Sequence, residues 1–228
     1  MFKEILSILR KEDLLKQAMD KTEEMFSKAE MMFKTAIKVV MEGQKPNIDI
    51  YETDREINRM EWEVRQKVLE HLVVGSKKGD VPAVLILTSE VIDIERIGDY
   101  SKNILELADI CSMDIVVSED HAEFFREIEA QVLEIFTLTR EAQEEADARK
   151  AQTAMDIHWE ISERCDSMFE NLASEHDLGA ECAVIYTLLA RYLKRVSSHL
   201  KNIASSVVNP FPRMGFRSSA DGKDSDIG

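Results

Sequence analysis

Glu95 and Asp99 are the residues of this chain best placed to do chemistry. They stand four positions apart, so on a helix both carboxylates project from one face, with Asn103 one turn further on and Glu106 near it. Like charges at that spacing repel and weaken a helix by a few tenths of a kcal/mol. A bridging cation would turn the repulsion into binding, and oxygen-only ligands suit hard or borderline ions such as Mg, Mn or Fe. Arg96 is expected to point roughly 100° away from the pair, as the helical step dictates. Gly98 sits between the two acids, and its missing side chain would let a neighbouring element approach closely. A second acidic face lies upstream, where Asp54, Asn58 and Glu61 share one side of a helix. The ordinary alternative for both stripes is a solvated charged surface.

Helices of unusual length must carry these stripes. The 228 residues include only 8 Gly and 4 Pro, and Glu, Lys, Leu, Met and Ala abound, a balance that disfavours a turn-rich β fold. Breaks are expected at Gly43 to Pro46, at Gly75 to Pro82, at Cys111 to Ser118, at Arg149 to Thr153, at Ser174 to Gly179, and at Pro210 and Pro212. Asp80 is expected to cap the helix that follows it and Ser118 the next, with Pro82 tolerated in a first turn. The breaks delimit six helices of about 25 to 30 residues, each about 40 Å long. Between the second and third breaks, Val84, Leu87, Val91, Ile94, Gly98, Ser101, Leu105 and Ala108 recur at steps of three and four, which predicts a face turned into a bundle.

An internal repeat underlies this layout. Ile94 to Ile104 (IERIGDYSKNI) aligns with Leu193 to Ile203 (LKRVSSHLKNI) at an offset of 99 residues, which also pairs Ile86 with Ile185 and Thr88 with Thr187. The expected architecture is all-α, two tandem three-helix bundles, with one unit over 1–113, a second over 114–212, and a disordered tail over 213–228.

The segment Asp93 to Ile104 (DIERIGDYSKNI) resembles the signature of the PhoU family of phosphate-signalling regulators: Glu/Asp-x-x-x-Asp, then an aromatic or His, then Asn-Ile. Asp54 to Glu61 (DREINRME) resembles the family's preceding helix. The resemblance implies a cytoplasmic, non-enzymatic protein of two PhoU domains that restrains the phosphate-starvation response. It implies contacts with the phosphate transporter ATPase and a sensor histidine kinase. It also implies a divalent or iron-type metal ion held by Glu95 and Asp99 with Asp54, Asn58 and Glu61. The second repeat departs from the signature, since Lys194 and Ser198 replace Glu95 and Asp99. A protonated ammonium repels a cation and offers no lone pair, so any metal belongs to the first repeat. Glu160, Glu163 and Asp166 persist on the helix before it.

Composition narrows the remaining classes. A net charge of −15 argues against nucleic acid, whose phosphates need clustered Lys and Arg, and is compatible with cations or basic protein surfaces. Cys111, Cys165 and Cys182 form no CxxC pair and are expected to be small buried hydrophobes in a reducing compartment. The opening residues show no signal-peptide pattern, and no run of 18 apolar residues predicts a membrane span. None of His71, His121, His158, His176 and His199 lies three residues after a Glu, so the ligand pair of ferritin-like di-iron bundles is missing. His199, the counterpart of Tyr100, is expected to pack or cap. Trp62, Trp159 and most of the 11 Met are expected in the core. Long amphipathic helices also suggest a homodimer. The competing readings are a purely structural helical scaffold and a metal-carboxylate helical-bundle enzyme.

Overall fold

The computed structural model describes residues 1–11, 13–110, 119–175 and 178–216, and every described regular element is helical. Six long helices follow one short one: α1 (Phe2–Lys11), α2 (Asp13–Glu42), α3 (Ile50–Gly75), α4 (Val81–Ile110), α5 (Glu119–Glu145), α6 (Ala148–Ser174) and α7 (Ala180–Val208). α2, α3 and α4 pack on one another as one three-helix bundle, and α5, α6 and α7 as a second. α1 is the departure from the six expected helices. Phe2, Ile5 and Leu9 recur at steps of three and four, so a short amphipathic helix forms and buries that stripe across the first bundle and the end of α7.

Local chemistry explains the helix ends. Asp49 caps α3 through a hydrogen bond from the Glu52 amide, and Asp147 caps α6 by accepting from Arg149 and Lys150. The α5–α6 break therefore falls at Ala146 and Asp147, where Ala146 takes a φ of +52°, and not at Arg149 to Thr153, which lie inside α6. Asp80 does not cap α4 directly. It closes a 3₁₀ turn (Lys78–Asp80) by accepting from the Lys77 amide at 2.9 Å and by bonding His71 Nε2 at 3.0 Å. Those bonds outweigh burial and hold its carboxyl below the ordinary range. Pro82 stands in the first turn of α4, as expected. The expected break from Cys111 to Ser118, with its Ser118 cap and the boundary at 113 and 114, lies outside the described residues. So do His176 and most of the expected tail. Residues Arg213 to Phe216 are described, and they fold back on α7: Asn209 Nδ2 donates to the carbonyls of Arg213 and Phe216, and the Gly215 amide donates to Ser205.

The predicted stripe on α4 faces inward, but it is only half of the helix's buried surface. Ala83, Ile86, Glu90, Ile97, Ile104 and Leu107 are buried as well, because α4 is packed on one side by α2 and α3 and on the other by α7. The residues that meet show α4 and α7 running antiparallel. Asp93, early on α4, accepts from His199 and Asn202, late on α7, while Tyr100 lies 6.0 Å from Tyr192. At the 99-residue offset Asp93 corresponds to Tyr192 and Tyr100 to His199, so these two contacts are each other's equivalents. The repeats are thus joined about a local two-fold through their equivalent third helices. One hydrophobic cluster runs through both bundles.

Ile97, fully buried at this junction, should cost about 2–5 kcal/mol on truncation to Ala. Trp62, expected in the core, is instead 63% exposed, and Trp62→Ala should stay within about 0.5 kcal/mol of wild type. Urea unfolding of the two variants checks the contrast.

Candidate functional site

α3 and α4 bring four of the five sequence-derived ligands together. Glu95 and Asp99 stand on α4, half-buried, facing Asp54 and Glu61 on α3. Asn58 is exposed and hydrogen-bonds to none of them. Gly98 permits the approach, since a Cβ added there would lie 3.4 Å from Ile57 Cδ1 and 3.8 Å from Met32 Sδ.

The cluster also contains two cations, Lys102 and Arg96, that a reading of the carboxylates alone leaves out. Lys102 Nζ lies 3.0 Å from Asp54 Oδ2 and 3.1 Å from Asp99 Oδ1, bridging the two helices. Arg96, expected to point away, curls back so that Nη1 is 3.1 Å from Asp99 Oδ2 and Nε is 3.4 Å from Glu95 Oε2. Its long side chain covers the angular offset that the helix imposes on its Cβ. Glu61 pairs with Arg65 at 2.7 Å. Burial pulls the Lys102 ammonium down, but Asp54 and Asp99 more than offset it and hold its pKa above the ordinary lysine value. Glu95 is left with the weakest partner. Burial, then Asp99, Glu61 and Asp54, push its pKa up, and Arg96 only partly compensates.

As placed, these side chains do not fit a metal ion. Among the described residues no group of three or more His, Cys, Asp or Glu is arranged to hold one, and the Lys102 ammonium stands where an ion bridging Asp54 and Asp99 would sit. The spacing Asp99-x-x-Lys102 was visible in the sequence, since residues three apart on a helix are neighbours.

In the second repeat the equivalent positions are rebuilt. Lys194, in the place of Glu95, pairs with Asp166 at 2.6 Å. Ser197, in the place of Gly98, bonds His158 Nδ1 at 2.9 Å. Burial, followed by Lys201 and Lys194, pushes the His158 pKa down to about 3, so the ring is neutral at physiological pH. Lys201, the counterpart of Lys102, lies 5.4 Å from the Trp159 ring centroid and donates to the Gly215 carbonyl. His199 packs as expected, stacked on Tyr100 with its Nδ1 at 2.7 Å from Asp93. Cys165 is a buried core residue, its thiol pushed up to about 12 by burial.

Glu95 tests this electrostatic picture. Its raised pKa means that the folded chain holds the proton more tightly than the unfolded chain, so its charge destabilises the fold above the folded pKa and not below the unfolded one. Glu95→Gln should therefore gain roughly 0.5–1 kcal/mol at pH 7, the scale of relief among partly buried like charges. The gain should vanish near pH 4, and Lys102→Met should lose stability at pH 7. Chemical denaturation of both variants at the two pH values is the check.

Comparison with known proteins places this arrangement among relatives. The family described as the PhoU domain matches twice, over residues 22–108 and 109–207. A phosphate-specific transport system accessory protein PhoU homolog 1 of Thermotoga maritima is 28% identical over 126 residues, covering 51% of either chain, so the match spans about half of that relative. The crystal structure of PhoU from Pseudomonas aeruginosa superposes with a TM-score of 0.76 at 20% identity, covering 86% of this chain and 96% of that one. The phosphate transport system regulatory protein PhoU of Streptococcus pneumoniae gives 0.65 at 18% identity, covering 91% and 95%. At such identities the likeness to these two structures is one of fold.

Proposed function

This chain belongs to the PhoU family, with two copies of its domain in tandem, and on that premise we propose that it is a non-enzymatic accessory regulator of phosphate uptake and of phosphate-starvation signalling. The observation that carries the reading is the double domain match, which accounts for both three-helix bundles. A regulator of this kind works in the cytoplasm through contacts with the phosphate transporter ATPase, a sensor histidine kinase, or both. The described residues are compatible with that location, since no helix among them is long and apolar enough to cross a membrane.

The surface supplies a face for such contacts. On α3, Trp62, Leu69 and Val73 are 63%, 62% and 78% exposed, and their spacing of seven and four aligns them on one side of the helix. Apolar side chains aligned in this way mark an interaction surface more often than scattered ones do. In this reading the ion pairs around Lys102 fix α3 against α4 and so present that face rigidly. A metal ion at Glu95 and Asp99 would first have to displace Lys102.

Deleting the gene should derepress phosphate-starvation reporters at high phosphate or alter phosphate uptake. The wild-type chain should restore repression, and a Trp62→Glu/Val73→Glu variant that folds normally should not. Unchanged reporters and uptake at both high and low phosphate would contradict the regulatory reading. Full rescue by the double variant would contradict the contact face alone.

A further inference from the structure

Where α1 crosses the cleft between the two bundles, the structure forms a partly open cavity of about 330 Å³ that neither the repeat motifs nor the proposed regulation accounts for. α1 contributes Phe2, Leu6 and Leu9, and α4 contributes Ile86 and Leu87, so most of the wall is apolar. Into this wall α4 places Glu90, a carboxyl only 4% exposed. Gln143 of α5 donates to its Oε1 at 2.7 Å, and Ser206 of α7 donates to the same oxygen at 2.9 Å. Oε2 takes no hydrogen bond among the described residues. That oxygen is not sealed in the core but opens onto the cavity, where a bound group can reach it.

The charges around the cavity say what the partner would be. Asp20, Glu23 and Glu24 of α2 and Glu144 of α5 line it, against two arginines. Both guanidiniums are already engaged. Arg140 bonds Ser27 at 3.0 Å, pairs with Glu30, and lies 5.2 Å from the Phe26 ring centroid, while Arg10 donates to the Glu144 main-chain carbonyl at 3.1 Å. Glu23 has no ion pair among the described residues, and its pKa is raised by burial, then by Asp20 and Glu144, against the pull of Arg10 and Arg140. An anion, phosphate included, would meet an excess of carboxylates here. A cation with an apolar body would satisfy both the wall and the carboxyls.

We propose that this cavity binds a small amphipathic cation, an apolar body bearing one ammonium group, with the ammonium held by Glu90. Burial, and after it the neighbouring charge of Asp93, push the Glu90 pKa up to about 8 against the hydrogen bonds from Ser206 and Gln143. The Glu90 carboxyl is therefore largely protonated at pH 7, and binding an ammonium draws that proton off to solvent while the N–H groups donate to the new carboxylate. The site is separate from the stripe of Glu95 and Asp99, and it stands or falls without the regulatory reading.

Isothermal titration calorimetry of the full chain with n-octylamine tests this. Titrations at pH 7 and 0.15 M salt, in buffers of different ionisation enthalpy, yield both the stoichiometry and the number of protons released. One amine should bind per chain with release of a substantial fraction of a proton. n-Octanol and octanoate should bind at least about tenfold more weakly, because they lack the charge-assisted hydrogen bond. Glu90→Gln, close in shape, should lose that preference and the proton release together. Octanol binding as tightly as the amine, amine binding without proton release, or no amine binding at millimolar concentration would each overturn the proposal. The proton count is measured on the wild-type chain, so it decides the matter even if Glu90→Gln folds poorly.

Discussion

Everything in this molecule is referred to the antiparallel contact between α4 and α7. A helix packed on one side needs one apolar stripe, but α4 buries residues toward α2 and α3 and again toward α7. It is therefore apolar over most of its circumference, and its few buried polar groups must find partners in a particular register. Asp93 finds His199 and Asn202, and Glu90 finds Ser206 and Gln143. A shift of α7 by one residue would break the bonds from His199, Asn202 and Ser206 at once, whereas apolar contacts alone would tolerate some sliding. The polar contacts thus specify the register that hydrophobic burial stabilises.

The two repeats share a scaffold and differ in electrostatics. In the first, a carboxylate stripe is drawn together by an ammonium from within, Lys102, while Gly98 leaves room for Ile57 to pack. In the second, a hydroxyl at Ser197 meets the neutral ring of His158, and Lys201 turns toward Trp159 and the folded-back segment at Gly215. The lysine position is retained in both repeats, but its partners are not. This divergence matches the sequence, in which Ser198 replaces Asp99 and so removes one of the two carboxylates that Lys102 bridges in the first repeat, while Lys194 reverses the charge at the place of Glu95.

The long helices and their pairing into two bundles were legible because Gly and Pro are rare enough to act as punctuation, and because the repeat reports itself at a fixed offset. α1 was not, since no Gly or Pro separates it from α2. The α5–α6 turn was displaced because an alanine, not a glycine, adopts the left-handed conformation there. Within the site, helical spacing identified Glu95, Asp99, Asp54 and Glu61, but it overlooked Lys102 and Arg96. Long cationic side chains reach partners that their Cβ direction does not announce. Trp62 was misplaced for a related reason: an aromatic residue on a long helix reads as core until its face is known. Glu90 went unremarked, although an acid in the midst of an apolar run is itself a signal.

The central claim, that the first repeat's stripe is held by its own lysine, is most directly tested by elemental analysis of protein purified without chelator, for the wild-type chain and for Lys102→Met. The wild-type chain should carry well under one equivalent of divalent or iron-type metal at the stripe. The variant, with its carboxylates uncompensated, should take up more. About one equivalent in the wild-type chain, lost in Glu95→Gln/Asp99→Asn, would show that a metal and not Lys102 holds the stripe together.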